Sequence, residues 1–563
     1  MMLGTPPAAG PAVREAGAID RRSVAPGRAG GAAVQSGEVI SPRLRRLSSD
    51  EPAPLPLPPG PVSNGEFVPG PITPRDVAIQ RAVEQAVDEA AGRAGMDRRR
   101  FLRSAGGVAA SLAVYQLAAC SGSRRAAPPS TTAAATTTRP PVVTTGPGGT
   151  FTVPPATDVA ACEHALGSQG EFIFDVHTHH VMPDGPWRRA SPATVGLVEG
   201  MLPANCVASD PLQCVDRAAY LHDLFLSSDT TVAMLTDVPN SGPSDAPVPL
   251  SAAIGTLDAT AGLTGAGSPR LLLQNVIAPN VGPLGARLDD MTAAAATGHV
   301  SAFKVYTAWS PTAHGWSLAD PAIGLPVVQH ARDLGVRVLV AHKGLPLVNF
   351  DPAFNHPEDI VAVSRQFPDM QFVVFHAAWD PRRIEGAYDA HATIGIDTLL
   401  AALDHHQVPP DDNVWVDLGT VWRQVLTNPT QAAHVLGKLL RRVGPHRVLW
   451  GTDAVWYGSP QPQIAAFRAF QISTEYQDRY GYPALTDDLK RGVFGLNAAI
   501  LFGVDPTAQR CGLTTDPLTS SQPLVRQLSA EGILPSPWRT NGPTTRRQVL
   551  AWLRSAGSPW QPT

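Results

Sequence analysis

Six residues able to bind a metal are spread over five short apolar runs. His177 and His179 stand in EFIFDVHTHH, Lys304 in VSAFKVYTAW and His342 in VRVLVAHKG. His376 stands in MQFVVFHAAW and Asp453 in RVLWGTDAVW. Each falls late in a β-branched or aromatic run, and in a parallel barrel such strand ends face one common mouth. Imidazole nitrogens and carboxylate oxygens gathered there suit divalent metal chemistry, with zinc the first choice and one or two ions. Such an ion acidifies bound water and polarises a carbonyl.

Strand geometry sharpens the first motif. Side chains alternate across a strand, so Asp175, His177 and His179 share one face and His180 takes the other. The elements that must carry the six residues alternate regularly. Strands are expected at 171–179, 230–238, 270–278, 300–308, 336–342, 371–377, 413–419 and 447–452. Helices are expected at 216–228, 249–263, 286–297, 322–334, 357–366, 396–406 and 431–443. The last carries apolar residues at helical spacing, basic residues in its final turn and Gly444-Pro445 as a stop. The fold class is therefore α/β, a (β/α)8 TIM barrel, with a disordered N-terminal region and a C-terminal extension. A doubly wound open sheet is the alternative, but it would not bring ligands from strands one, four, five, six and eight to one point.

The 563 residues allow several domains, and 43% hydrophobic content supplies a large core. A net charge of -4 gives no polyanion-binding surface, so nucleic acid is not an expected partner. Residues 1–95 hold one aromatic, Phe67, among many Pro, Gly and Ala, and read as disordered or as lying upstream of a true start at Met96. Within them only 74–95 hints at a helix. Residues 96–120 resemble a twin-arginine export signal: Arg98 and Arg99, then Phe101-Leu102, then an apolar run ending in Leu117-Ala118-Ala119-Cys120. That ending resembles a lipoprotein cleavage box, with Cys120 as the lipidated residue. The resemblance implies the twin-arginine export machinery as a partner, and a lipid anchor on the outer face of the cytoplasmic membrane. A transmembrane anchor is the competing reading of the run. Residues 121–150 read as a Ser/Thr/Pro-rich tether. Four further cysteines remain, Cys162, Cys206, Cys214 and Cys511; the first three flank the first strand and its long loop, so a bridge among them is one reading and free structural thiols are the other.

From Glu171 to about Asp505 the order of motifs resembles the amidohydrolase superfamily. The motifs are His177-x-His179, His342, His376, Gly451-Thr452-Asp453 and the closing segment RGVFGLNAAILFGVD. That last segment resembles the amidohydrolase-related branch, which includes aminocarboxymuconate-semialdehyde decarboxylase-like enzymes. The barrel domain is thus expected over 151–505 and the C-terminal extension over 506–563. In the extension, 506–545 reads as loop or wrapping chain and 544–555 as a short amphipathic helix.

The segment around Lys304 resembles dihydropyrimidinase-type members, where such a lysine is carboxylated and bridges two metals. Pairing of an unmodified lysine with an acid or a substrate carboxylate is the other reading. The resemblance implies a metal-dependent hydrolase acting on a C–N or C–O bond of a small cyclic or aromatic substrate. Asp453 would move the proton, and His376 would join it in catalysis. The alternative is a single-metal non-oxidative decarboxylase or hydratase; a non-catalytic tethered binding lipoprotein is a third reading. Trp309, Trp379, Trp422 and Trp456 follow strand ends and are expected to wall the substrate pocket, although rim packing would account for some of them. His314 is a loop histidine near the same mouth, and Asp417 is expected to orient a neighbour. A homo-oligomer is compatible with all three readings.

Overall fold

The computed structural model describes residues 55–59, 63, 68–121, 147–200, 208–264, 269–312, 314–346, 350–536 and 538. A short strand β1 (Gly149–Phe151) precedes eight parallel strands. These are β2 (Phe174–Thr178), β3 (Val232–Leu235), β4 (Leu271–Ile277), β5 (Val300–Val305), β6 (Val338–His342), β7 (Gln371–Phe375), β8 (Val414–Asp417) and β9 (Val448–Leu449). They lie side by side in sequence order, β2 to β9. β1 pairs antiparallel with β10 (Phe470–Ile472) outside the barrel.

Closure joins β2 to the chain after β9. Val176 N donates to Trp450 O at 3.0 Å, Asp453 N to His177 O at 2.9 Å and His179 N to Ala454 O at 2.5 Å. Thr178 and Ala454 form a parallel bridge. The sheet thus curls into a TIM barrel rather than an open doubly wound sheet, and the expected neighbours, His-x-His and Asp453, meet.

Alternation along the strands separates two cores. On β6, Val338 and Val340 pack with Val373, Phe375, Trp415 and Leu449 in the interior. Leu339 and Ala341 pack outward with Leu399, Leu436 and Leu439 of the surrounding helices. The helices sit where the periodicity puts them. Pro429–Arg442 begins with Asn428 accepting from Gln431 N and a proline in the first turn, and ends in Arg441 and Arg442. Such a start satisfies otherwise orphaned N–H groups, and basic residues suit the negative helix end.

The N-terminal part differs from expectation. Most of 1–95 lies outside the described residues, but Pro74–Arg93 is a helix, where disorder was the preferred reading. Thr73 and Asp76 form a capping box with a proline at the first turn. Val83, Val87, Ala90 and Ala91 are buried. The segment resembling an export signal forms Arg98–Leu102 and Ala105–Ser121. Arg98 pairs with Asp88 at 2.6 Å, and Phe101, Leu102, Val108, Leu112 and Tyr115 are buried. No described helix is long and apolar enough to cross a membrane. Residues 122–146 of the expected tether, and 544–555, lie outside the described residues. Cys214 is disulfide-bonded; Cys162 and Cys511 are free, so Cys162 takes no part in a bridge.

The described part of the C-terminal extension, 506–536, is mainly helical, a wrapping chain rather than loop. Pro506–Leu513 and Pro517–Ala530 are helices, each opened by an aspartate cap, Asp505 and Asp516. Asp516 also accepts from the buried guanidinium of Arg270, which donates to Thr231 O at 2.9 Å and Thr230 O at 2.8 Å. The ion pair therefore ties the helix Pro517–Ala530 to the start of β4, and through the same guanidinium to the chain entering β3. Removing one partner of a buried pair strands the other charge, so Asp516→Ala should cost about 3–5 kcal/mol in urea denaturation. A loss below about 1 kcal/mol, the level of an exposed pair, would show that the clamp is not needed.

Candidate active site

The donors converge at the C-terminal mouth of the barrel. His177 Nε2 lies 3.6 Å from Asp453 Oδ1 and His179 Nε2 lies 3.4 Å from the same oxygen. Two donors each about 2.1 Å from a tetrahedral ion stand about 3.4 Å apart, so this spacing fits one cation. His376 and His342 border the triad: the His376 ring centroid is 4.9 Å from that of His177 and 4.5 Å from that of His342. All five side chains are buried.

Hydrogen bonds fix which nitrogen each ring presents. His177 Nδ1 donates to Asp417 Oδ2 at 2.9 Å, leaving the Nε2 lone pair for the triad. His376 Nδ1 donates to Gly419 O at 2.9 Å, and its buried Nε2 has no hydrogen-bond partner. His342 Nε2 donates to Leu345 O at 3.1 Å, leaving Nδ1 as the lone-pair nitrogen. A histidine pinned in this way is the usual form of a metal ligand. The residues therefore fit a divalent cation.

A second grouping, His177, His376 and Asp417, also lies within ligand reach. It does not make a second site of the same kind. Asp417 Oδ1 accepts from His376 N at 2.6 Å, and Oδ2 accepts from both His177 Nδ1 and Gly419 N, the latter at 3.2 Å. Its oxygens are engaged in orienting neighbours, as the sequence suggested for Asp417. Asp175 has a similar duty, accepting from His177 N at 3.2 Å and Thr452 N at 3.0 Å.

Lys304 is fully buried, with Nζ 4.7 Å from the Tyr306 ring centroid and 4.5 Å from that of Phe375. Phe375 in turn stacks on His177 at 3.9 Å. Aromatic faces favour a cation. Asp237, buried beyond the end of β3, adds a carboxylate: burial raises its pKa well above the usual range, and Lys304 pulls it back. Its carboxylate accepts from Val238 N, Asn240 Nδ2 and Val248 N of its own loop, and nothing in the sequence marked it, because Lys304 comes from another strand.

The tryptophans divide. Trp456 stacks on His179 at 5.6 Å, forming part of the site wall. Trp309 and Trp379 are buried close behind β5 and β7. Trp422 belongs to the core instead: its Nε1 donates to Gln463 O at 2.9 Å and its ring meets Phe467 and Phe470 edge-on. The helical turn Val421–Val425 points it outward from the barrel, which strand-end position alone does not show. His180 faces away as expected, onto Thr256 Oγ1 at 3.0 Å, and His314 is exposed.

Residues 272–504 match the family model described as amidohydrolase. Over that span the chain is similar to the amidohydrolase family. The span contains Lys304, His342, His376 and Asp453, and begins after His177 and His179. No curated protein matches the chain. Among solved structures, 5-carboxyvanillate decarboxylase from Sphingomonas paucimobilis is 13% identical, covering 59% of this chain and 99% of its own, with a TM-score of 0.37. The 2,6-dihydroxybenzoate decarboxylase from Rhizobium is 12% identical, covering 60% and 100%, with a TM-score of 0.35. A dihydroxybenzoic acid decarboxylase from Polaromonas, solved with manganese and 2-nitroresorcinol, is 12% identical, covering 59% and 97%, with a TM-score of 0.37.

Burial sets the pH range of the donors. It lowers the pKa of His177, His179 and His342, with nearby Lys304 among the further causes. It lowers His376 to about 4. A lowered pKa keeps imidazole neutral, and so able to bind metal, in more acidic solution. Protein dialysed at pH 5 should therefore keep the metal content it has at pH 7. Release that begins near pH 6.5, the ordinary imidazole value, would contradict this reading.

Proposed function

We propose that the chain is a single-metal enzyme that removes carbon dioxide, without oxidation, from a small aromatic acid. The observation that carries this is the pairing of one three-donor point with a buried cation. His177, His179 and Asp453 converge on one point, the overlapping group of His177, His376 and Asp417 has its carboxylate engaged in hydrogen bonds, and Lys304 Nζ lies on two aromatic faces. A bridging carbamate would need Lys304 between two ions, and Asp417 is already committed to hydrogen bonds. Aromatic rings back the imidazoles: Phe375 behind His177, Trp456 behind His179, Tyr306 and Phe350 behind His342. Such walls suit a flat substrate ring.

Two histidines and a carboxylate leave open positions, the layout of a catalytic rather than a structural zinc site. When bound, the cation supplies Lewis-acid polarisation of a substrate oxygen. Lys304 holds the substrate carboxylate by a charge-assisted hydrogen bond. Asp453 carries the proton; Thr420 Oγ1 donates to its Oδ2 at 2.5 Å and so fixes the carboxylate plane. As the ring–carboxyl bond breaks, its electron pair stays on the ring carbon, that carbon takes the proton, and carbon dioxide leaves. His376, neutral above about pH 4, offers Nε2 as a hydrogen-bond acceptor beside the reacting group.

Hydrolysis of an amide or lactone is the competing outcome for this family. The test is product analysis on metal-loaded protein with hydroxybenzoates, amides, lactones and esters. We expect carbon dioxide release, with one deuterium on the product ring in heavy water. Asp453→Asn should cut turnover by about 100- to 10,000-fold with the fold intact. Hydrolysis of amides or lactones, with no carbon dioxide from any acid, would overturn the proposal.

A further inference from the structure

Among the described residues, Arg423 is a buried charge with little to explain it. It lies in the short helix Val421–Val425, just past β8, and its side chain is fully buried. Nε and one terminal nitrogen have no hydrogen-bond partner, and no carboxylate among the described residues pairs with it. A native guanidinium in that state is rare, because burying an unpaired charge costs several kcal/mol at roughly the scale measured for broken pairs. Its titratable neighbours are the phenols of Tyr115 and Tyr457.

The position connects to the active site. Tyr457 is close to both Arg423 and Asp453. Its hydroxyl donates to Thr420 Oγ1 at 3.4 Å, and Thr420 donates onward to Asp453. Gln424, next along the helix, donates to the same phenol at 3.2 Å. A further buried polar group lies on the adjoining helix: the side-chain amide of Gln463 has no partner at either end, and its backbone carbonyl accepts from Trp422. Unsatisfied donors and acceptors on neighbouring elements are costly unless a polar group or water meets them.

We propose that Arg423 anchors a second anionic group of the substrate, so that the preferred substrate is a diacid. This rests on the decarboxylase reading, in which Lys304 takes the reacting carboxylate. Lys304 lies against Tyr306 and Phe375, whereas Arg423 lies near Tyr115 and Tyr457, so the two cations have different surroundings. A guanidinium is suited to a planar carboxylate, which it holds through two parallel N–H donors. The two phenols flank the site without neutralising it. Left without that group, Arg423 is a stability cost carried for binding.

The test uses full-length metal-loaded protein with benzoate, phthalate, isophthalate and terephthalate as probes. At least one diacid should bind about 100-fold more tightly than benzoate, and Arg423→Met should reduce it to the benzoate level. Arg423→Lys should fall between. Without ligand, Arg423→Met should raise the Tm by about 2–4 °C or more, because an unpaired buried charge has been removed. Metal content should not change. Equal binding of benzoate and all three diacids, or diacid binding unaffected in Arg423→Met, would overturn the proposal. So would an Arg423→Met variant that unfolds or loses Tm without ligand, since that is the mark of a structural cation. The two readings fail separately. Arg423-dependent diacid binding with hydrolytic turnover removes the decarboxylase reading and leaves the anchor. Carbon dioxide release unaffected in Arg423→Met does the reverse.

Discussion

The carboxylate of Asp417 is the constraint on which the site depends. It ends β8 and reaches two other strands at once: His177 of β2, which lies beyond β9, through Nδ1, and the backbone N–H of His376 after the adjacent β7. The first bond sets the His177 tautomer, and the second sets where the chain turns after β7. Such a carboxylate behind a ligating histidine orients the ring and raises its basicity. There is no space for variation around it. A Cβ at Gly419 would stand 2.5 Å from His177 Nδ1 and 2.6 Å from Asp417 Oδ2, and one at Gly451 would also collide with Asp417. Glycine at both positions is a steric condition for the hydrogen bond.

The same region holds unfavourable backbone. His376, Ala377 and Ala378 have φ of 62°, 48° and 59°, and Thr420 and Asp453 have 60° and 62°. Non-glycine residues in this left-handed region cost on the order of 1–3 kcal/mol each. All five lie where β7, β8 and β9 end. The turns bring His376, Thr420 and Asp453 back over the mouth. The rigid shell beneath offsets that cost. Trp450, Phe467 and Phe494 interlock with ring centroids 5.0–5.3 Å apart, and the barrel interior is filled by Val340, Val373, Phe375 and Trp415.

The barrel and its donors were legible because period-two apolar runs announce strands, and each donor stands at the end of one. His177, His179 and Asp453 follow directly once the first and last strands are neighbours. Other features had no local mark. The helix Pro74–Arg93 buries a stripe of small residues, Val83, Val87, Ala90 and Ala91, whose packing depends on a partner helix rather than on their own hydrophobicity. Trp422 sits two residues beyond Thr420, but a single helical turn sends it into the outer core. Asp237 and Arg423 become informative only through what surrounds them, or fails to. Asp417 was visible as an orienting group, while the identity of its two partners needed the closed barrel.

The most direct test of the central claim is the location of the metal itself, by anomalous diffraction from crystals of the zinc- or manganese-loaded full chain. The account predicts one peak per chain, within about 2.0–2.3 Å of His177 Nε2, His179 Nε2 and an Asp453 oxygen, with Asp417 still bonded to His177 Nδ1. Two peaks bridged by a modified Lys304, or a peak coordinated by Asp417, would contradict it.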